Sequence, residues 1–321
     1  MKKNQTLLKT ILEMSLREKD QETNEPKSDD SQEKKSDDPQ AKDDEIAQLA
    51  AAFKSTSVED FVNKFKTIAT DPKVLAVLKA GQTDGDKKDE ALKYSEISIG
   101  VSTLKPTQNE IGFNESIQNV LTDKFGSLKS IFGGQASVGG PIVTYNGKWI
   151  IDGHHRWSQV FAVNPQAKMK ALNIQGNLAP AEILKVVHAA IAANTGKLPL
   201  SKASGINIMN GVNRKEVEDA VNKNLSDAAK KIWAENGFKD NKAVANHLFG
   251  NLSRLVKNNK PMAGAPPRTS MPQTAATGKE ADKLDMLSKG IVNFKDPKSS
   301  DVQKEIRTLQ ERAGIRGKYR Y

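Results

Sequence analysis

The chain of 321 residues contains no cysteine. Disulfides, thiolate nucleophiles and Cys-ligated zinc are therefore excluded, and any metal held by the protein falls to His, Asp and Glu. Aromatic residues make up only 5% of the sequence and histidine occurs four times, so dense clusters of either are informative. No run approaches the roughly 20 apolar residues that span a bilayer. In the opening "MKKNQTLLKTILEMSLREKDQ", polar residues interrupt the apolar run before a signal segment would be complete. These absences predict a cytoplasmic chain with no membrane partner, and the lack of cysteine sits easily with a reducing compartment.

Aliphatic residues are also missing, apart from one alanine, from "DQETNEPKSDDSQEKKSDDPQAKDDE", which repeats a KSDD unit at Lys27 and Lys35. Such a stretch buries too little apolar area to offset the entropy of ordering it. We read 20–45 as a disordered acidic linker. Before it, Leu7, Leu8, Ile11, Leu12 and Leu16 recur at helical spacing and predict an amphipathic helix within 1–19. After it, 46–81 reads as a helical hairpin, with Phe61, Phe65 and Ile68 on one face, capping-box spacing from Thr56 to Glu59, and a break at Asp71-Pro72.

What is present in excess is positive charge. The net charge is +10, which favours anionic partners such as nucleic acid or nucleotides without specifying a fold.

Within 94–176 the patterning switches between strand and helix. "SEISIGVSTL" reads as a strand, "FNESIQNVLTDKF" as a helix, and "GGPIVTYNGKWIID" as two strands about an Asn146-Gly147 turn. "HHRWSQVFAVNP" reads as a helix and "AKMKALNIQG" as a strand, an α+β unit with a small mixed sheet. Three helical stretches follow in 177–260. The Pro, Ala, Thr and Gly composition of 261–283 predicts a disordered linker that does not pack. The remainder, 284–321, reads as a basic tail with a short helix near Val302 to Ala313 and a terminal "RGKYRY", whose Arg316, Lys318 and Arg320 are candidate nucleic-acid contacts.

The densest chemistry lies in "WIIDGHHRWSQVF", where two of the four histidines stand beside an aspartate and an arginine. A strand that ends at Asp152 and passes through glycine into a helix presents unpaired N–H groups and partial positive charge at one point, an arrangement that attracts phosphate. Gly153 allows close approach of the backbone, and the forked donors of Arg156 suit two phosphate oxygens. His154 and His155 are candidates for donating to phosphate or shuttling protons. Because adjacent helical residues diverge by about 100°, one imidazole is expected to face the pocket and the other to pack. Asp152 is the unusual member, since a carboxylate at a phosphate site calls for a metal or an acid–base role.

The order of these elements from Glu96 to Gly176, with "LKPTQNEIGFNESIQNVL", "PIV", a hairpin and the "DGHHR" box, resembles the ParB/sulfiredoxin superfamily. Within it the box looks closest to ParB-like serine kinases and ParB-like nucleases. The resemblance implies a ParB/sulfiredoxin-like domain over 94–176 with flanking helices. It implies that Gly153, His154, His155 and Arg156 line a phosphate site, with Asp152 as metal ligand or proton acceptor. It also makes Glu110 a second candidate acid or base in a loop shaped by Pro106 and Gln108, and brings in a nucleoside di- or triphosphate and Mg2+. The departures are specific. Sulfiredoxin chemistry needs a cysteine, and the "GERR" and "ENxxR" elements of chromosome-partitioning relatives have no clear copy. The nearest approach to a DNA-recognition helix is Asn241 to Lys260, with Lys242, His247, Arg254 and Lys257.

Three functions are therefore expected to compete. The first is an enzyme acting on a nucleotide or phosphodiester through Asp152, Glu110 and His154. The second is a non-catalytic DNA-associated protein. The third is a phage-type assembly protein, in host cytoplasm or virion, that docks protein partners through its N-terminal helix or C-terminal tail.

Overall fold

The structure, a computed structural model, describes residues 39–82, 92–198 and 200–272. The expected helix in 1–19 and the tail with Arg316, Lys318 and Arg320 lie outside the described residues.

The chain is α+β. Three helices come first, α1 (Pro39–Phe53), α2 (Val58–Ile68) and α3 (Pro72–Gln82). Strand β1 (Lys93–Gly100) leads through a 3-10 turn to β2 (Lys105–Pro106), then α4 (Phe113–Thr122), α5 (Leu128–Phe132) and β3 (Gln135–Ala136). Next come β4 (Ile142–Tyr145), β5 (Trp149–Asp152), α6 (His154–Val163) and β6 (Lys168–Gln175). The helices α7 (Pro180–Thr195), α8 (Arg214–Asn224), α9 (Asp227–Glu235) and α10 (Asn241–Asn258) complete the order.

The mixed sheet runs β1-β6-β4-β5-β2, with β3 also on β6. β6 pairs antiparallel with all of β1 and parallel with β4, while β4 and β5 form an antiparallel hairpin. At its tip Asn146 and Gly147 both have positive φ, 51° and 60°, and Lys148 N–H bonds to the Tyr145 carbonyl at 3.1 Å. Both central residues are thus left-handed, as a type I′ turn requires. The Asn146 side chain then ties the tip to Gly176, donating to its carbonyl and accepting from its N–H.

Alternating side chains of the hairpin strands enter two apolar cores. Ile142 and Ile150 join Trp157, Phe161 and Trp233, against α4, α6 and the helices α8 to α10. Val143, Tyr145 and Ile151 join Phe61, Phe65 and the α7 residues Leu184 and Val187 on the other face. The period-2 alternation of a strand buried on both faces produces this division. Helix α6 is buried along most of its length, and its Trp157 Nε1 donates to the Val101 carbonyl at 2.8 Å. The 18-residue helix α10, the candidate DNA-recognition element, turns His247 inward, where it bonds to the Val163 carbonyl at 2.7 Å. Among the described residues no helix is long and apolar enough to cross a membrane.

Three expectations are corrected. Helix α1 begins at Pro39, inside the stretch read as linker over 20–45; proline at a helix start leaves unused only an N–H that has no partner there anyway. The cap of α2 is Ser57, whose hydroxyl accepts the Asp60 N–H at 3.1 Å, and not Thr56. Residues 261–272, read as part of a linker that does not pack, form a strap with Met262 and Met271 buried. Its backbone is satisfied by the body: Met262 N–H bonds to the Pro106 carbonyl (3.1 Å), Asn109 N–H to Pro266 (3.0 Å) and Ser201 N–H to Met271 (2.9 Å). These cross-chain bonds let a Pro-rich segment bury its backbone.

One buried cation fastens the end of α1 to α7. Lys185 on α7 is 2% exposed. Its Nζ donates to the Phe53 carbonyl (3.2 Å), the Ser55 carbonyl (2.6 Å) and Glu182 Oε1 (2.8 Å), stoppering the C-terminal end of α1. Lys185→Met keeps the apolar stem but removes the ammonium that donates to the buried Phe53 and Ser55 carbonyls, at roughly 1–3 kcal/mol each. A drop of about 2–4 kcal/mol in urea unfolding is the expected outcome.

Candidate functional site

The site is built where β5 runs into α6. Gly153 takes φ +95°, and a β-carbon there would lie 2.4 Å from Ile142 Cγ2. The position therefore needs glycine twice over, for its left-handed backbone and for its missing side chain. No side chain caps the helix that follows. The helical ladder begins with Trp157 N–H on the Gly153 carbonyl at 2.9 Å, leaving the N–H groups of the first turn pointing out of the end.

Both histidines of the box turn toward one loop, instead of one facing a pocket and one packing. His154 Nε2 accepts the Thr107 N–H at 3.2 Å, and His155 Nε2 accepts the Gly112 N–H at 3.1 Å. Thr107 Oγ1 adds a 2.6 Å bond to the Ile150 carbonyl. An imidazole nitrogen that accepts from an amide carries no proton, so both rings are neutral with the proton on Nδ1. Their surroundings enforce this. Burial, with help from His155 and Arg268, pushes His154 down to about 3. Burial and Arg268 push His155 down to about 4, against the opposing pull of Glu115 and Asp152. Rings held neutral with Nε2 occupied by an amide are poorly placed for the proton shuttling near neutral pH that the sequence leads one to expect.

Arg156 is committed within the fold. Its Nη2 lies 2.9 Å from Asp152 Oδ2, and Nη1 donates to the Gly140 (2.8 Å) and Pro141 (3.2 Å) carbonyls. The pair is partly exposed, with side chains 22% and 26% accessible. Asp152 therefore orients a guanidinium, one helical turn away, at the mouth of α6. Glu110 is held by another segment: its Oε1 accepts the Ser204 N–H at 2.5 Å. Gln108 shapes the loop as expected, donating to the Glu110 carbonyl at 2.6 Å. Among the described residues no group of three His, Asp or Glu side chains converges as metal ligands.

The structure adds a second guanidinium that the sequence reading missed. Arg268, on the strap, donates to Glu115 Oε1 at 3.0 Å and to the Ser204 hydroxyl. Gly112 lies between these groups, since a β-carbon there would meet Glu115 Oε2 at 2.1 Å and Ser204 Oγ at 2.7 Å. Burial works to raise the Glu115 carboxyl, but its own backbone N–H and Arg268 outweigh that and hold it below its ordinary value. The available signal was slight: Arg268 is the only charged residue between Pro261 and Gly278. Two carboxylate–guanidinium pairs, Asp152–Arg156 and Glu115–Arg268, thus stand on the elements joined by the two histidines.

No family model, curated protein or solved structure matches this chain.

Two outcomes follow from this geometry. Gly153→Ala combines left-handed strain with a clash against Ile142, and is expected to cost about 2–4 kcal/mol in urea unfolding. The histidines, with pKa values lowered in the fold, contribute stability that is full above their ordinary pKa of 6.5. That stability is lost as pH falls from there toward about 4 and 3. The urea midpoint should drop between pH 7.5 and 5, and drop less in His154→Gln, whose amide oxygen replaces the accepting nitrogen with a group that does not titrate.

Proposed function

We propose that the chain binds a phosphorylated ligand, a nucleotide or a nucleic-acid phosphate, at the start of α6, as the resemblance to the ParB/sulfiredoxin superfamily implies. The observation that carries this reading is the uncapped helix start at Gly153, flanked by a partly exposed guanidinium, Arg156, held in place by Asp152. First-turn N–H groups and a preset fork of donors are what a phosphate requires. The ligand's phosphate would take over one face of Arg156 while Asp152 keeps the other side of the fork aligned.

The reading is binding rather than turnover. Neutral, amide-accepting imidazoles are poor proton donors at neutral pH, and the carboxylates of Asp152 and Glu110 are each engaged by a donor of the chain. That donor set does not fit a Mg2+ held by the protein; a Mg2+ that arrives on a nucleotide has the phosphates as its ligands.

A second reading is favoured by one observation: Arg156 bonds to Asp152, Gly140 and Pro141 within the fold. In that case the box is an internal clasp between β5, α6 and the loop before β4, and the surface that meets partners lies elsewhere.

Calorimetry with ATP, ADP, CTP and a short DNA duplex, with and without Mg2+, separates the two. The phosphate reading expects binding by wild type that weakens at least tenfold in Arg156→Ala, about 1.4 kcal/mol or more. No binding to any of them, together with a loss of stability in Arg156→Ala, supports the clasp instead.

A further inference from the structure

We propose that residues 261–272 are a detachable strap that leaves the body of the protein as a unit in acid, with the buried imidazole of His188 as its latch. The strap carries no element longer than the 3-10 turn at Arg268–Ser270, so it can lift away without unpairing any sheet strand. At its start the Asn259 side chain donates to the Ser102 (3.0 Å) and Leu104 (2.6 Å) carbonyls and forms a fixed hinge post. Beyond that, its ties are the backbone bonds to Pro106, Asn109 and Ser201, the bridge of Pro272 to Leu200, the Ser201 hydroxyl on the Pro272 carbonyl, the Asn109 side chain on Ala265, the Arg268 contacts with Glu115 and Ser204, and the buried side chains of Met262 and Met271. Segments held by few local bonds open before the global fold does.

The contact that makes this attachment sensitive to acid is His188. The ring is fully buried on α7, and one nitrogen, Nε2, is 3.0 Å from the Ser270 carbonyl and must donate to it. The other, Nδ1, is buried with no partner, and the ring lies against Phe61, with centroids 6.2 Å apart. Adding a proton at Nδ1 puts a charge and an unsatisfied N–H into an apolar layer, which is costly. Lifting Ser270 and Met271 away admits water to the ring and removes that cost.

The charged groups around it do not compensate. On α7, Lys185 is engaged by Phe53, Ser55 and Glu182. On α2, Asp60 and Lys64 pair with each other at the surface, and on α3 Lys73 faces Glu45 at 3.9 Å. On the strap, Arg268 is held by Glu115. Burial, against the pull of the Ser270 carbonyl, lowers His188 to about 4 from 6.5. The strap is therefore fully latched above 6.5, and the latch weakens as pH falls toward 4. With those two values the opening equilibrium is expected to rise about 30-fold between pH 7.5 and 5.

Because Arg268 rides on the strap, opening removes the second guanidinium from Glu115 and Ser204. That consequence for a ligand rests on the phosphate reading above, whereas the latch itself does not.

Hydrogen exchange of the full chain, corrected for the intrinsic pH dependence of amide exchange, tests the latch. Amides of Asn109, Ser201 and Met262 report on the strap, and amides of β6 report on the body. The expected result is a strap less protected than β6 at both pH values, a loss of protection of about 30-fold at the strap between pH 7.5 and 5, and a pH-insensitive strap in His188→Gln. Strap amides protected as strongly as those of β6 at both pH values, or no strap loss, overturn the proposal without reference to any variant. A strap loss that persists in a folded His188→Gln also overturns it, and Glu115→Gln then shows whether the Arg268 pair is the true trigger. Inorganic phosphate binding at pH 7.5, measured in parallel, fails or succeeds independently of the exchange result, so the ligand reading and the latch are judged separately.

Discussion

The backbone at Gly153 lies at φ +95° with Ile142 occupying the space where a β-carbon would stand, and the local architecture depends on that close approach. It lets β5 turn directly into α6 without a connecting loop, which brings His154 and His155 within reach of the amides of Thr107 and Gly112. Those two bonds hold the segment after β2 against the start of α6. The same segment is the ledge on which the strap rests, through Pro106 and Asn109, while Arg268 of the strap reaches Glu115 on α4 and Ser204. A larger residue at position 153 would therefore disturb the helix, the loop and the strap together.

Electrostatics reinforce the arrangement. Burial removes the charge from both imidazoles, and a neutral ring is the form able to accept an amide N–H. The result is a region in which the ion pairs Asp152–Arg156 and Glu115–Arg268 stand beside neutral histidines that serve as spacers with acceptor nitrogens.

Much of the secondary structure was legible because it rests on local rules. The Asn146-Gly147 hairpin followed from the positive φ that both residues accept, and α6 and α10 followed from helical periodicity. The capping of α2 was misplaced by one residue because Thr56 and Ser57 are chemically equivalent as caps, and only the geometry selects Ser57. The strap was illegible for a different reason: its order comes from bonds to residues such as Pro106 and Ser201, far away in the chain, while its Pro and Gly content alone looks like linker. Glu115 and Arg268 are 153 positions apart, so no local pattern links them. Asp152, Gly153, His154, His155 and Arg156 could be singled out by residue type, but residue type says nothing about which ring nitrogen carries the proton or what a guanidinium already holds.

The most direct measurement is the protonation state of the four histidines by long-range 1H–15N correlation between pH 7.5 and 5. The account predicts that His154 and His155 remain neutral throughout, with an unprotonated, hydrogen-bonded Nε2 and a protonated Nδ1. Titration of either ring near 6.5, or the opposite tautomer, would contradict it, because the bonds to Thr107 and Gly112 that organise the start of α6 could then not exist.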